Sequence, residues 1–407
     1  MDTPLSNLMV LDLSRVLAGP WASQSLADLG ATVIKVEQPG AGDDTRLWGP
    51  PYLSDDHGNR VGESGYFLAA NRGKYSITVD LKTDEGKKII LELAKKADIV
   101  LENFKTGTLD RMGLGYSVLK EVKPDIILCS ITGFGQTGPR AKQPAYDFMI
   151  QAMSGIMSVT GESDDRPGGS PMKIGIPLID LITGVYSTSA ILASVVRRER
   201  TGRGEHIDIA MLDVAVSLLA NQGMNYLLTG QTPVRRGNRH PNIQPQRVYR
   251  CIDGQIILAV GNDGQFAKLC AALGKSELAV SEKFATNDAR VRNLPELDVL
   301  LDELLATFNK AELLAELELL GVPSGPINTI PEVLNDPQVV HRQMQFELQD
   351  EHGVSIPQIR SPYQFSEAST RLNMRPPAMG EHTESVLREI LGLNASRIQE
   401  LRQNSVI

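Results

Sequence analysis

Asp180 is the residue in this sequence best placed to do chemistry. It stands in PMKIGIPLIDLITGVYSTSAILASV, where a Gly/Pro-rich crossover enters a long stretch in which Leu181, Val185, Ile191 and Val195 recur at near-helical spacing. An Asp at that point is a good helix N-cap, its side chain accepting the first free backbone N–H groups. The same geometry has a second use. The positive end of a helix dipole favours the ionised carboxylate, and an ionised carboxylate can be a nucleophile. On the residues alone both readings stand.

The remaining chemistry-bearing groups form no familiar constellation. Six histidines (His57, His206, His240, His341, His352, His382) include no H-E-x-x-H or other metal-ligand spacing. G-x-S-x-G is missing, which removes the commonest serine-hydrolase elbow. Cys129 ends an apolar run and reads as a core residue. Asp43 and Asp44 form an acidic pair that suits either paired-carboxylate chemistry or a turn beside glycines. Scattered cations are the stronger signal. Arg72, Lys74, Lys105 and Arg111 all fall in segments that follow apolar strands or lie beside them. Such residues are either simply solvated or converge on one phosphate-rich ligand.

The elements that position these groups alternate strand and helix. Met9–Ser14 reads as a buried strand, Trp21–Asp28 as a helix and Ala31–Glu37 as a second strand. Ser76–Leu81, Asp98–Phe104 and Asp125–Gly133 read as further strands, with a helix predicted over Thr83–Ala97, acidic at its start and lysine-rich at its end. This is the rhythm of an open, mainly parallel α/β sheet, whose ligand lies beyond the carboxyl ends of the strands. The loops there are RVLAGP, KVEQPGAGDDTR, LENFKTG and ITGFGQTGP. The first turn, with Gly19 as its only glycine, is a poor dinucleotide cradle, and no G-x-x-x-x-G-K-S occurs, so NAD and ATP are set aside. A turn, a short strand and a helix follow Arg200, completing the first domain, and VRRGNRHPNIQPQ reads as an irregular connector. After it come a hairpin turning at Asp253-Gly254 and helical patterns over Gln265–Leu273 and Leu294–Leu320, a smaller α+β unit. The tail returns through Val354–Phe365 and ends in helices at Thr383–Leu391 and Ala395–Gln403.

Composition bounds the class. The chain has 407 residues, 42% hydrophobic and 22% charged, ordinary for a globular protein with a real core. A net charge of −8 argues against a nucleic-acid or polybasic membrane surface while allowing a local basic pocket. Three distant cysteines without C-x-x-C predict a reduced, cytoplasmic setting. The sequence shows no secretory pattern and no run of 18 or more apolar residues, and a soluble, unexported protein is expected.

Taken together, the motifs resemble the family III CoA-transferases, a family that includes formyl-CoA transferase, carnitine CoA-transferase and α-methylacyl-CoA racemase. The resemblance runs along essentially the whole chain through LDLSRVLAGPWASQSLADLGATVIKVE, PGAGDDTR, NRGKYSITVDL, ADIVLENFKTGTLDRMGLGY, ITGFGQTGP, AYDFMIQAMSG, DLITG at Asp180, RTGRGEHIDIAMLD, GVPSGPIN and MGEHT. It implies a Rossmann-like large domain with an inserted smaller α+β domain and an interlocked homodimer. On that expectation residues 1–205 are the first part of the large CoA-binding domain, 206–246 the linker region, 247–325 the small domain, and 326–407 the return linker and the C-terminal part of the large domain.

For the site, the resemblance implies that Asp180 is the catalytic aspartate and that Ala18, Asn71, Arg72, Lys74, Asn103, Phe104, Lys105 and Arg111 bind CoA. No metal and no permanently bound cofactor are implied, with CoA and acyl-CoA as substrates. Leu17 and Gln38 stand where formyl-CoA transferase has a glutamine and an arginine, which argues against formyl/oxalate exchange. Tyr146 stands where the racemase has a proton-transferring histidine, and a phenol is a poor general base at neutral pH. The expected reaction is therefore CoA transfer, from succinyl-CoA to a short dicarboxylate such as glutarate, itaconate or mesaconate. The alternative is racemisation of a 2-methylacyl-CoA. A dicarboxylate needs a cation for its second carboxylate, and Arg46 is the candidate, against a plain salt bridge to Asp43 or Asp44.

Overall fold

The computed structural model describes residues 2–55, 57–350 and 352–407. The chain divides into two compact units, one of residues 1–156, 174–221 and 337–407, the other of 157–173 and 222–336.

The first unit is built on six parallel strands: β1 (Met9–Asp12), β2 (Thr32–Glu37), β3 (Lys74–Thr78), β4 (Ile99–Glu102), β5 (Ile127–Thr132) and β6 (His206–Ala210). Their order in the sheet is β3-β2-β1-β4-β5-β6, with Val10 of β1 opposite Val33 on one side and Ile99 on the other. This is the doubly wound order of dinucleotide-binding folds, and it reverses direction between β1 and β4. The strands are apolar on both faces because both are covered. Leu11, Ile34 and Val100 point into one core with Ile89, Ile90, Leu93, Val386 and Leu401. Val10, Val33 and Leu101 point into the other, packed against α1 (Ala18–Asp28) and, further along, the long helix Leu178–Thr201.

Most sequence expectations land within a few residues. The second strand, the two tail helices and the helix after Thr83 lie where the patterns put them. β3 begins two residues early, at Lys74, because Gly73 turns the chain at φ +76 and donates to the Met374 carbonyl. The segment read as the start of the linker supplies β6, its His206–Ala210 register fixed against Leu128–Thr132.

α2 (Asp147–Met153) and α3 (Leu178–Thr201) bracket the crossover. At 24 residues α3 is long and apolar enough to cross a membrane by composition, yet it packs along α1, β5 and β6. The α1–α3 crossing is close because small residues meet there. A Cβ on Gly184 would stand 2.8 Å from the Ala18 carbonyl oxygen and 3.0 Å from the Trp21 ring.

The second unit carries an antiparallel sheet of β7 (Gln246–Cys251), β8 (Gly254–Ala259) and β9 (Ser324–Pro326), with β8 central. Its core gathers Tyr249, Ile256, Leu258, Phe266, Leu297 and Leu317. The hairpin turns one residue earlier than its Asp-Gly signal, since Cys251 pairs with Gly254 and leaves Ile252 and Asp253 at the tip. The helical pattern over Leu294–Leu320 forms two helices, Leu294–Leu305 and Lys310–Leu320. The break falls where the Asp253 carboxylate caps the second at the Lys310 N–H.

Gly184→Ala should lower thermal stability by about 1–3 kcal/mol, the usual cost of overpacking a close contact against backbone. Scanning calorimetry reads it; an unchanged melting temperature would mean that α1 and α3 are free to move apart.

Candidate functional site

The reversal in strand order puts two loops side by side, Ser14–Leu17 after β1 and Asn103–Thr106 after β4. They are tied to each other. The Arg15 N–H donates to Asn103 Oδ1 at 3.0 Å and Asn103 Nδ2 donates back to the Arg15 carbonyl at 2.7 Å. The loop after β1 is also held from beneath. Asp12 accepts from the Ser14 N–H at 2.9 Å, Lys35 Nζ donates to the Ser14 carbonyl at 3.0 Å and to Asp43 at 2.8 Å, and Asp43 accepts from the Val16 N–H at 3.2 Å. Val16 sits at φ +71, a conformation a β-branched residue adopts only when its surroundings fix it. The surrounding ion pairs are fully buried, and paired charges lower the Asp43 carboxyl to about 2 despite its burial.

Above these loops lies a cleft of about 320 Å³ lined by Arg15 to Ala18, Asn103 to Thr106, Tyr146 and Asp180. A smaller hollow of about 120 Å³ shares Arg15 and Phe104 with it and reaches Gln38, Asp80 and Lys82. Asp180 does not cap its helix. It lies in the first turn of α3, whose cap position is Pro177, and the cap function comes from elsewhere. Asp147, the first residue of α2, accepts from the N–H groups of Ile179 at 2.7 Å and Asp180 at 3.2 Å. Its other oxygen accepts from Gln151, which in turn accepts from the Ile174 N–H. The cap signal was thus read correctly as a helix start but assigned to the wrong aspartate, because a capping partner 33 residues away leaves no local trace. The Asp180 side chain is thereby free to face the cleft.

Half-buried, with Asp147 behind it, the Asp180 carboxyl is pushed up to about 7, by desolvation first and by the Asp147 charge second. Tyr66 lies in the same field. Burial, Asp180 and Asp147 push its phenol up to about 12, so it stays a hydroxyl donor. Nothing in the sequence marks Tyr66, Asp147 or Arg15 as site residues. An aromatic between two glycine-containing turns and a second Asp beside Tyr146 carry no signal until the elements are assembled.

The other expected site residues separate into three groups. Ala18, Asn103, Phe104, Lys105 and Tyr146 line the cleft, Lys105 and Tyr146 with exposed side chains. Arg111 is exposed on the helix after this loop and donates to Thr108. Asn71, Arg72, Lys74 and Arg46 are buried. Arg72 forms a two-pronged pair with Asp28 at 2.9 and 2.6 Å. Lys74 Nζ donates to Pro20, Asn71 and, at 3.4 Å, Asp12, and burial lowers it to about 7. These two cations are internal scaffolding behind the turn, their donors already engaged. Arg46 is corrected in the same way. It pairs with neither Asp43 nor Asp44 but with Glu37 at 2.6 Å and Glu63 at 2.7 Å, stacked 3.8 Å over Phe67, and it does not line the cleft. Cys129 is buried in the sheet core, its thiol pushed up to about 12, as a core residue.

A parallel sheet in this order with a carboxylate aimed into its switch-point cleft is the arrangement of an α/β enzyme able to use covalent catalysis. The chain belongs to that family, whose model matches residues 5–383. Among its relatives is the succinate–glutarate CoA-transferase of Agrobacterium fabrum, 49% identical over 387 residues, covering 95% of this chain and 96% of that one. The succinyl-CoA:mesaconate CoA-transferase of Haloarcula hispanica is 38% identical over 97% and 98% of the two chains. The crystal structure of a CAIB/BAIF family protein from Brucella suis superposes with a TM-score of 0.84 at 50% identity, covering 96% of this chain and all of that one. The protein is a CoA-transferase.

Because Asp180 holds its proton more tightly than an ordinary aspartate, its Cγ should titrate in ¹³C NMR near pH 7 rather than near 4. Asp147→Asn keeps an oxygen for the Ile179 N–H but removes the charge, so the Asp180 midpoint should move to lower pH. An unmoved midpoint would leave burial as its sole cause.

Proposed function

We propose that the enzyme moves CoA from succinyl-CoA to a short dicarboxylate, glutarate, itaconate or mesaconate, through a thioester on Asp180. The carrying observation is the Asp180 carboxylate, facing the cleft from the first turn of a helix that Asp147 caps in its place. Names of the relatives support succinyl-CoA as donor and a dicarboxylate as acceptor.

In this reading ionised Asp180 attacks the thioester carbonyl, and the C–S bond breaks to release CoA thiolate and leave a mixed anhydride. The thiolate then attacks the aspartyl carbonyl, the anhydride C–O bond breaks, and succinate departs with the electron pair, leaving aspartyl-CoA. The acceptor carboxylate repeats both steps in reverse and regenerates the free aspartate. Bond energy is carried through covalent intermediates and no ATP is consumed. The Tyr66 hydroxyl, close enough to feel the Asp180 and Asp147 charges, is the candidate donor near the reacting carbonyls. The nucleotide end of CoA follows the hollow shared through Phe104, with Lys105 and Arg111, and the additional Lys82, meeting its phosphates. Ala18 and Asn103 shape the cleft wall. Asn71, Arg72 and Lys74 support it from behind. Racemisation is not favoured: the relatives are named as transferases, and no histidine lines the cleft among the described residues.

The domain reading of a large CoA-binding part beginning at 1–205, a linker region (206–246), an inserted small domain (247–325) and a return linker with the C-terminal part of the large domain (326–407) belongs to this proposal, as does the interlocked homodimer. Exposed apolar residues support a second copy. The helix Ala220–Thr229 buries none of its residues, leaving Leu227 and Leu228 about three-quarters exposed, and α3 exposes Val185, Tyr186 and Val196. Three buried free cysteines suit a reducing, cytoplasmic compartment.

Incubating the protein with succinyl-CoA and a panel of acids should yield new CoA esters, and a CoA adduct on the Asp180 peptide by mass spectrometry. Asp180→Ala should lose roughly 10⁴-fold or more in rate. Retained transfer in that variant, or deuterium uptake at the α-carbon of a 2-methylacyl-CoA in place of transfer, would overturn the reading. Light scattering after gel filtration should give twice the mass of the chain, and Leu227→Glu with Leu228→Glu should reduce it. A wild-type monomer would exclude the dimer.

A further inference from the structure

A dicarboxylate entering the Asp180 cleft brings a second charge that must be met, because an unpaired carboxylate in a partly desolvated cleft is costly. Arg46 is already spent on Glu37 and Glu63. The cations lining the cleft are Arg15 and Lys105. Of the two, Arg15 is the one whose position is fixed. Its backbone is clamped at both N–H and carbonyl by Asn103, and the strained Val16 that follows is held by Asp43. Its side chain is 57% exposed, and its guanidinium makes a 3.1 Å pair with Asp44, itself 51% exposed and also lining the cleft.

We infer that Arg15 is the specificity-determining residue for dicarboxylates, its guanidinium reading the distal carboxylate that Asp44 mimics in the free enzyme. This rests on the dicarboxylate reading above and adds the residue that carries it. A planar guanidinium matches a carboxylate with two parallel N–H···O bonds, which the flexible ammonium of Lys105 does not. An exposed Arg–Asp pair is worth little by itself, so a substrate carboxylate exchanges for Asp44 at small cost. Asp44 therefore acts as a placeholder. It keeps the guanidinium aimed at the cleft while empty and discriminates against acids that cannot displace it. The same contact serves donor and acceptor, since both carry a distal carboxylate and occupy the site in turn.

The test is a competition. With succinyl-CoA as donor and equal glutarate and pentanoate, five-carbon acids differing by one carboxylate, the ratio of the two product CoA esters is read by mass spectrometry. Wild type should form glutaryl-CoA in large excess. Arg15→Gln should lower the ratio by about 10- to 100-fold, the scale of a lost charge-assisted hydrogen bond. Arg15→Lys should restore part of it, and Asp44→Asn should lower KM for glutarate. Lys105→Gln should raise KM for acyl-CoA with the ratio unchanged. If Arg15→Gln slows both acids equally with the ratio intact, Arg15 is a structural residue and the inference falls. If wild type transfers CoA to pentanoate as readily as to any dicarboxylate, it is the dicarboxylate reading that fails. Unchanged elution and melting temperature of Arg15→Gln, expected for an exposed side chain, keep either result readable.

Discussion

The structure rests on charges buried where the first two strands end. Asp12, Lys35, Asp43 and Lys74 are almost wholly withdrawn from water beneath the β1–α1 turn. Removing such charges from solvent costs several kcal/mol each unless they are closely paired and their remaining donors satisfied, and here they are. Lys35 and Lys74 are pulled in opposite directions: burial penalises both, but Asp43, Asp12 and Glu37 more than offset it for Lys35 and raise it, whereas for Lys74 burial and the Lys35 charge outweigh Asp12 and Asp43 and lower it. The network does little for stability that well-packed apolar residues could not do. What it fixes is the path of the backbone. Without it nothing would hold Val16 in a left-handed conformation or present Arg15 and Leu17 at the rim of the cleft.

The network also explains what could and could not be read from the sequence. The strand–helix alternation was legible because buried parallel strands write themselves as apolar runs, and β1, β2 and β5 fall close to where those runs are. Asp180 was legible as a helix start facing a crossover. The roles of the charged landmarks were not. Arg72, Lys74 and Arg46 lie in or beside the connections that flank the site, and a cation near a ligand-binding edge reads as a ligand contact. The partners of Arg72 and Lys74, Asp28 and Asp12, lie far away in sequence. Pairing over such separations is set by strand order, which single-sequence patterns do not contain. Arg15 was missed for the complementary reason. It looked like one more residue of a turn until the Asn103 clamp located it.

Asp180 is placed at a cost. A carboxyl that holds its proton up to about pH 7 opposes folding increasingly as pH rises from the ordinary carboxylate range toward that value, because the unfolded chain gives the proton up sooner. Asp147 adds to that cost through its charge, but it takes over the helix N-terminus, accepting from the Ile179 and Asp180 N–H groups, and so leaves the Asp180 side chain out of the cap. Two carboxylates at one helix end thus divide labour. One stabilises the helix, and the other is kept reactive by having no such task.

The tail helices at Thr383–Glu389 and Ala395–Gln403 have a consequence for synthesis. Val386, Leu387, Ile398 and Leu401 complete the core that covers one face of the sheet begun at β1. On the ribosome the first strands emerge long before these covers do, and the second unit, continuous from 222 to 336 apart from one short segment, is made in between. The nascent chain therefore carries a half-clothed sheet, with Leu11, Ile34 and Val100 lacking those contacts, until the last stretch of the chain has been made. Apolar strand surface left open in this way is the kind that aggregates, and the earliest strands are among the last to be secured.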